Sequence, residues 1–79
     1  MAPAIPAGAV VTVDRSVAFL DLKEGDVIKF RQGWTLYAHR VVSVRTSADG
    51  RRYVVTRGDN ERATEVVTAQ QYLGRVILK

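Results

Sequence analysis

Glu24-Gly25-Asp26-Val27-Ile28-Lys29-Phe30, and then Trp34-Thr35-Leu36-Tyr37-Ala38-His39-Arg40-Val41-Val42, decide how the chain is read. A Gly-Asp turn feeds a short strand in which apolar and polar residues alternate, so Ile28 and Phe30 share the face to be buried. Gln32-Gly33 turns the chain tightly, as a hairpin does. From Trp34 to Thr46 runs the longest strand signal. One of its faces carries Trp34, Leu36, Ala38, Arg40, Val42 and Val44; the other carries Thr35, Tyr37, His39, Val41 and Ser43. Neither face is cleanly polar at its centre, which predicts a strand that crosses from core to cleft around residues 38 to 40. Trp34, Leu36 and Tyr37 read as a core cluster.

Outward from this hairpin the pattern stays β. Ser47-Ala48-Asp49-Gly50 is a second hairpin turn, and Arg51 to Arg57 returns as the partner strand. Gly58-Asp59-Asn60-Glu61 is a loop of residues that favour side-chain-bonded turns. Ala63 to Gln71 is ambiguous: Thr64, Val66, Val67 and Thr68 favour strand, whereas Ala69-Gln70-Gln71 favour a helical turn. Leu73 to Leu78 closes the chain as a final strand. Upstream, Pro3 and Pro6 make Met1 to Gly8 extended, and Ala9 to Val13 is a β-branched strand. Val17 to Leu22 reads as a loop or a short irregular strand. No segment carries a helix-length apolar period. The fold expected is one all-β domain over residues 1–79, mostly antiparallel, a small partly closed β-barrel with little or no helix.

Composition narrows the function. The 79 residues are 47% hydrophobic and 25% charged, an ordinary globular balance. A chain this short buries only about two-thirds of its unfolded surface, so its stability is marginal. Without cysteine there is no disulfide framework, and with one histidine a zinc site is not expected. No run reaches the ~18 apolar residues of a membrane span. Met1 to Val13 has no basic start and is broken by prolines, so it is not a signal peptide. The net charge of +4 gathers Arg40, Arg45, Arg51, Arg52, Arg57 and Arg62 in the middle of the chain. A solvated basic face is favoured over a nucleic-acid footprint, although Trp34, Tyr37 and Tyr53 could stack on bases.

The one constellation that could carry chemistry is His39 with Asp59 beyond the next strand. A histidine, with an unperturbed pKa near ~6.5, suits proton transfer near neutrality. A carboxylate beside it can orient the imidazole and stabilise the imidazolium. A lone strand histidine is otherwise a surface or hydrogen-bonded core residue, and Asp59 is otherwise a turn-capping residue. Arg40 is placed to pair with Asp59 or Glu65. Asp26 reads as a structural turn residue.

Four blocks resemble the type I signal peptidase family, which shares its serine-protease fold with the SOS repressors. They are Gly25-Asp26-Val27-Ile28-Lys29-Phe30, His39-Arg40-Val41-Val42, Thr56-Arg57-Gly58-Asp59-Asn60 and Leu73-Gly74-Arg75-Val76-Ile77. The branch is the Ser–His one, of archaeal and endoplasmic-reticulum type. Met1-Ala2-Pro3, then Gly8 and an apolar strand, resembles the family's Ser-Met-x-Pro block from the Met onward. The resemblance implies His39 as general base, Asp59 as its orienting acid, Glu65 as a loose match to the second acid, and substrate contacts at Met1, Pro3 and Tyr37. It implies a signal-peptide substrate cut after small residues, no cofactor, a membrane-anchored parent and a site on the extracytoplasmic face. The family's serine belongs directly ahead of Met1, so the chain as written is expected to be inactive.

Two other readings stand beside it. One is a small basic β-barrel that binds peptide or nucleic acid. The other, ranked last, is an autoprocessing Hint-type domain suggested by Asp21 to Ile28. That class needs Cys or Ser at its first position and a longer chain. An exposed strand edge could also pair two copies of the chain.

Overall fold

Gly25 and Gly33 take φ of +94° and +62°, and these two left-handed positions bracket the strand on which the fold is built. At Gly33 the glycine stands first in a two-residue loop, with Trp34 at negative φ. This is the type II′ arrangement that matches the twist of the flanking strands. The computed structural model describes residues 12–77. In chain order it contains β1 (Thr12–Asp14), a 3-10 turn (Phe19–Asp21), β2 (Val27–Gln32), β3 (Thr35–Thr46), β4 (Arg52–Arg57), β5 (Glu65–Thr68) and β6 (Tyr72–Ile77). The strands form one antiparallel sheet in the order β1-β6-β2-β3-β4-β5. The all-β antiparallel expectation is met. The sheet is not closed: among the described residues β1 and β5 end it without pairing to each other.

β3 is long because it serves two partners. Its first half pairs with β2, from Thr35↔Gln32 to Arg40↔Val27. Its second half pairs with β4, from Arg40↔Arg57 to Thr46↔Arg52. Between Val41 and Ser43 the register with β4 shifts by one residue, a β-bulge. Side chains alternate along a strand, so one extra residue exchanges the faces. Before the bulge the inward residues are Tyr37, His39 and Val41; after it Val44 packs on the core. The changeover predicted at 38 to 40 therefore falls at Val42.

The two halves of the sheet wrap around one cluster: Phe19, Leu22, Ile28, Phe30, Val41, Val54 and Val67. The pairings explain the membership, because Val44↔Val54 and Val54↔Val67 put β4 and β5 side chains on the same face. The 3-10 turn supplies Phe19, and Leu22 follows it into the core. Tyr72 holds this segment by donating to the Val17 carbonyl at 2.7 Å and packing its ring 5.5 Å from Phe19. Arg52 donates to the Leu20 carbonyl at 2.7 Å from the other side. Gln32 reaches across to Glu65 at 3.1 Å, which joins β2 to β5 over the wrapped sheet. Each fully buried aliphatic or aromatic side chain here contributes about 1.5–3 kcal/mol.

Two open readings of the sequence are resolved and one is overturned. Of the two readings of Val17 to Leu22, the loop holds and the strand does not: the segment contains a 3-10 turn at Phe19–Asp21, which brings Phe19 and Leu22, three apart, into the core. The ambiguous stretch splits: Glu65 to Thr68 is strand, and the chain then turns at Ala69-Gln70. Trp34 and Leu36 are not core. Trp34 sits on the hairpin turn, Leu36 faces outward, and only Tyr37 turns in to stack on Phe30 at 5.5 Å. Met1 to Val11 and Leu78-Lys79 lie outside the described residues, and with them the substrate contacts expected at Met1 and Pro3.

Gly74 fixes the approach of β1 to β6. A Cβ at this position would collide with Val13 Cγ1 and stand 3.0 Å from the Asp14 carbonyl oxygen. Gly74→Ala is therefore expected to cost about 1–3 kcal/mol through overpacking. A urea midpoint equal to that of the unmodified chain would show that β1 does not press on Gly74.

Burial raises the Tyr72 phenol above its ordinary value of 10.0, with the nearby Asp14 carboxylate adding to the shift and Arg75 opposing it. A raised folded-state pKa means that the native state holds the proton more tightly than the unfolded chain. The contribution is complete below the unfolded value and is lost as pH rises through the folded one. Raising the pH from about 8 to about 11 should lower the urea midpoint of the unmodified chain more than that of Tyr72→Phe. Equal losses in the two chains would refute the assignment.

Candidate functional site

His39 is on the inner face of β3 and is 8% exposed. It pairs with Ile28 across the β2–β3 ladder, so its ring lies beside the side chains of that strand. The Phe30 ring meets the imidazole edge-on at 5.6 Å, and the Tyr37 ring lies 5.4 Å away. Two aromatic walls hold the ring in place, and they themselves stack at 5.5 Å. Tyr37, expected to contact substrate, is thus a wall of the histidine site.

One edge of the imidazole faces a carboxylate. Nε2 is 3.8 Å from Glu61 Oε1, an ion-pair distance but longer than a hydrogen bond. The other nitrogen, Nδ1, is buried and has no hydrogen-bond partner among the described residues. Glu61 reaches the ring because its side chain lies over Gly58: a Cβ there would stand 3.0 Å from both Glu61 Cδ and Oε1. The Glu61 amide also donates to the Gly58 carbonyl at 3.0 Å, closing the loop after β4. The sequence reading assigned no role to Glu61. Its signal was present, an acid two residues past Asp59, but which acid meets the ring is set by the curl of the loop.

Asp59 is held by Arg40. The guanidinium donates through Nε at 3.2 Å and Nη2 at 3.4 Å to its two carboxylate oxygens, and through Nη1 at 3.0 Å to the Gly25 carbonyl. Arg40 follows His39 directly, so its side chain leaves the opposite face of the strand. It joins the Gly25 turn to the loop that carries Glu61. The Gly25 turn is itself closed by Asp26, which accepts from the Lys23 amide at 2.9 Å, and by the Gly25 amide donating to Val41 at 2.9 Å. The structural role expected of Asp26 is met.

Glu65 lies elsewhere. It pairs with Thr56 across the β4–β5 ladder and accepts from Gln32 at 3.1 Å. The bond to Gln32 makes it a cross-sheet tie. A groove of about 930 Å³ lies between the 3-10 turn and the β4–β5 face, lined by Phe19, Leu20, Arg52, Tyr53, Val66 and Thr68 among others. It sits at the far end of β4 from His39, and its lining has no histidine or carboxylate. It offers space without a base. Among the described residues no group of three His, Cys, Asp or Glu could hold a metal ion, and no helix is long and apolar enough to cross a membrane.

Arg40→Gln removes two bonds to a largely buried carboxylate and one to a backbone carbonyl. With Arg40 itself partly exposed, it is expected to cost about 1–2 kcal/mol, read from urea unfolding. A loss within about 0.3 kcal/mol of zero would show that Arg40 does not clamp the loop.

Comparison of the chain with protein-family models, with curated proteins and with solved structures finds no match.

Proposed function

We propose that this chain carries the base of a serine endopeptidase similar to type I signal peptidases, with the nucleophilic serine placed directly ahead of Met1. The observation that carries the reading is the setting of His39. Its ring is wedged between Phe30 and Tyr37, one nitrogen faces the Glu61 carboxylate, and the other is buried with no partner among the described residues. A ring so held is pre-oriented, and no described group competes for the lone pair of its buried nitrogen, which on this reading accepts the proton of a hydroxyl brought against it.

On this reading His39 takes the serine proton as Oγ attacks the scissile carbonyl. The imidazolium then gives that proton to the departing amine, and water repeats the sequence to free the acyl group. Glu61 offsets the charge that forms on the ring. It takes the part that the family resemblance gave to Asp59, while Asp59 and Arg40 position the loop. The substrate class is a secretory signal peptide cut after small residues, in a membrane-anchored parent acting on the extracytoplasmic side. All of this rests on the resemblance of the four sequence blocks together with the His39 geometry.

The test compares the 79-residue chain with a variant bearing one serine ahead of Met1, each offered a peptide with an Ala-x-Ala site in detergent micelles. Cleavage is expected from the extended chain alone, because loss of a triad serine costs on the order of 10⁶ in turnover. His39→Ala in the extended chain should return the rate to background. Hydrolysis that survives His39→Ala would sink the role of His39. An extended chain that folds, by its circular dichroism, yet never exceeds background would sink the protease reading.

A further inference from the structure

Trp34 is fully exposed, at 101% of its reference area, and Leu36 close by is 53% exposed. No described hydrogen bond or ring contact uses the indole. The type II′ turn requires glycine at position 33 but asks nothing aromatic of position 34. A large apolar side chain with no packing partner among the described residues gains the fold no burial, and with Leu36 it puts two exposed apolar groups at one hairpin end.

The surroundings say what it meets. Ile28 and Phe30 point inward, so Lys29 and Arg31 point outward, where Arg31 stands opposite Leu36 and Lys29 opposite Ala38. Neither β2 nor β3 contains an Asp or Glu, and the cations nearest the tip are Arg31 and Lys29; Arg40, further along β3, is held by Asp59. Glu65, which accepts from Gln32, lies on the inner face. An exposed indole at a hairpin tip, a leucine beside it and cations behind it match a bilayer interface with anionic headgroups. Indole rings settle at the headgroup level, and Lys or Arg is drawn to the negative surface. Single-stranded nucleic acid would need further stacking faces among the cations, and Leu36 offers none.

We propose that the β2–β3 hairpin tip, led by Trp34 with Leu36 and Arg31, docks peripherally on anionic membrane surfaces. This does not depend on the protease reading. It concerns the outer face of the hairpin, whereas His39 lies on the inner one.

Trp34 is the sole tryptophan of the chain, so its fluorescence reports on the tip directly. The chain is titrated with vesicles of phosphatidylcholine containing phosphatidylglycerol, and with pure phosphatidylcholine vesicles. A blue shift and co-sedimentation are expected with the anionic vesicles, weakened by added salt. Arg31→Gln should lower the partition coefficient about fivefold, the worth of one cation near such a surface. Trp34→Ala, which removes no packing, should lower it by roughly tenfold or more in co-sedimentation. Unchanged emission with anionic vesicles overturns the proposal, as does a Trp34→Ala chain that sediments like the parent. An emission change with a single-stranded oligonucleotide, and none with vesicles, assigns the tip to nucleic acid instead.

Discussion

The bulge between Val41 and Ser43 is the constraint on which the remaining structure depends. A single twelve-residue strand carries β2 on its first half and β4 on its second. Without the extra residue, the alternation that buries Tyr37, His39 and Val41 would turn Val44 outward. Its ladder partners Val54 and Val67 would follow it, and the second half of the sheet would show its apolar face to water. With the bulge, both halves turn their apolar faces to one cluster. Phe30 from β2 and Val67 from β5 then belong to the same core, although they sit in strands three places apart in the sheet.

The same strand sorts the polar residues of the site. His39 and Arg40 are adjacent, so they leave opposite faces. The loop after β4 carries two carboxylates, and each goes to a different neighbour: Asp59 to the Arg40 guanidinium, Glu61 toward the His39 ring. Arg40 also bonds the Gly25 carbonyl, and so joins the two turns that frame the histidine. A bond between loops fixes relative position better than a pair on one open surface, because both segments lose freedom together. The aromatic walls act in the same sense, since Phe30, Tyr37 and His39 are mutually in contact.

Much of the fold was legible from local chemistry. The Gly25 and Gly33 turns, the long third strand, the Asp49-Gly50 hairpin and the closing strand follow from turn residues and β-branched runs. The harder segments were those in which long-range contacts outweigh local preference. Phe19 and Leu22 carry no strand alternation, and the core draws both in through a 3-10 turn. Trp34 and Leu36 look like core by residue type, yet the turn and the pleat leave them outside. At the site, His39 and Arg40 could be named in advance; Arg40 was offered to Asp59 or Glu65, and Asp59 is the one it holds. Glu61 was missed because the acid nearest the ring is chosen by how the loop closes over Gly58, which spacing along the chain does not encode.

What the sequence determined by itself is the class of fold and the succession of strands and turns along the chain, through period-two patterning and the placement of glycine and aspartate in turns. These are properties of neighbours along the chain. Only the tertiary structure decided that the sheet stays open, that it wraps through one bulge, and that Glu61 rather than Asp59 faces the histidine. Those outcomes depend on which strands share a core and on the single residue by which their registers differ. Such a shift is small in the sequence, and it exchanges the two faces of a strand.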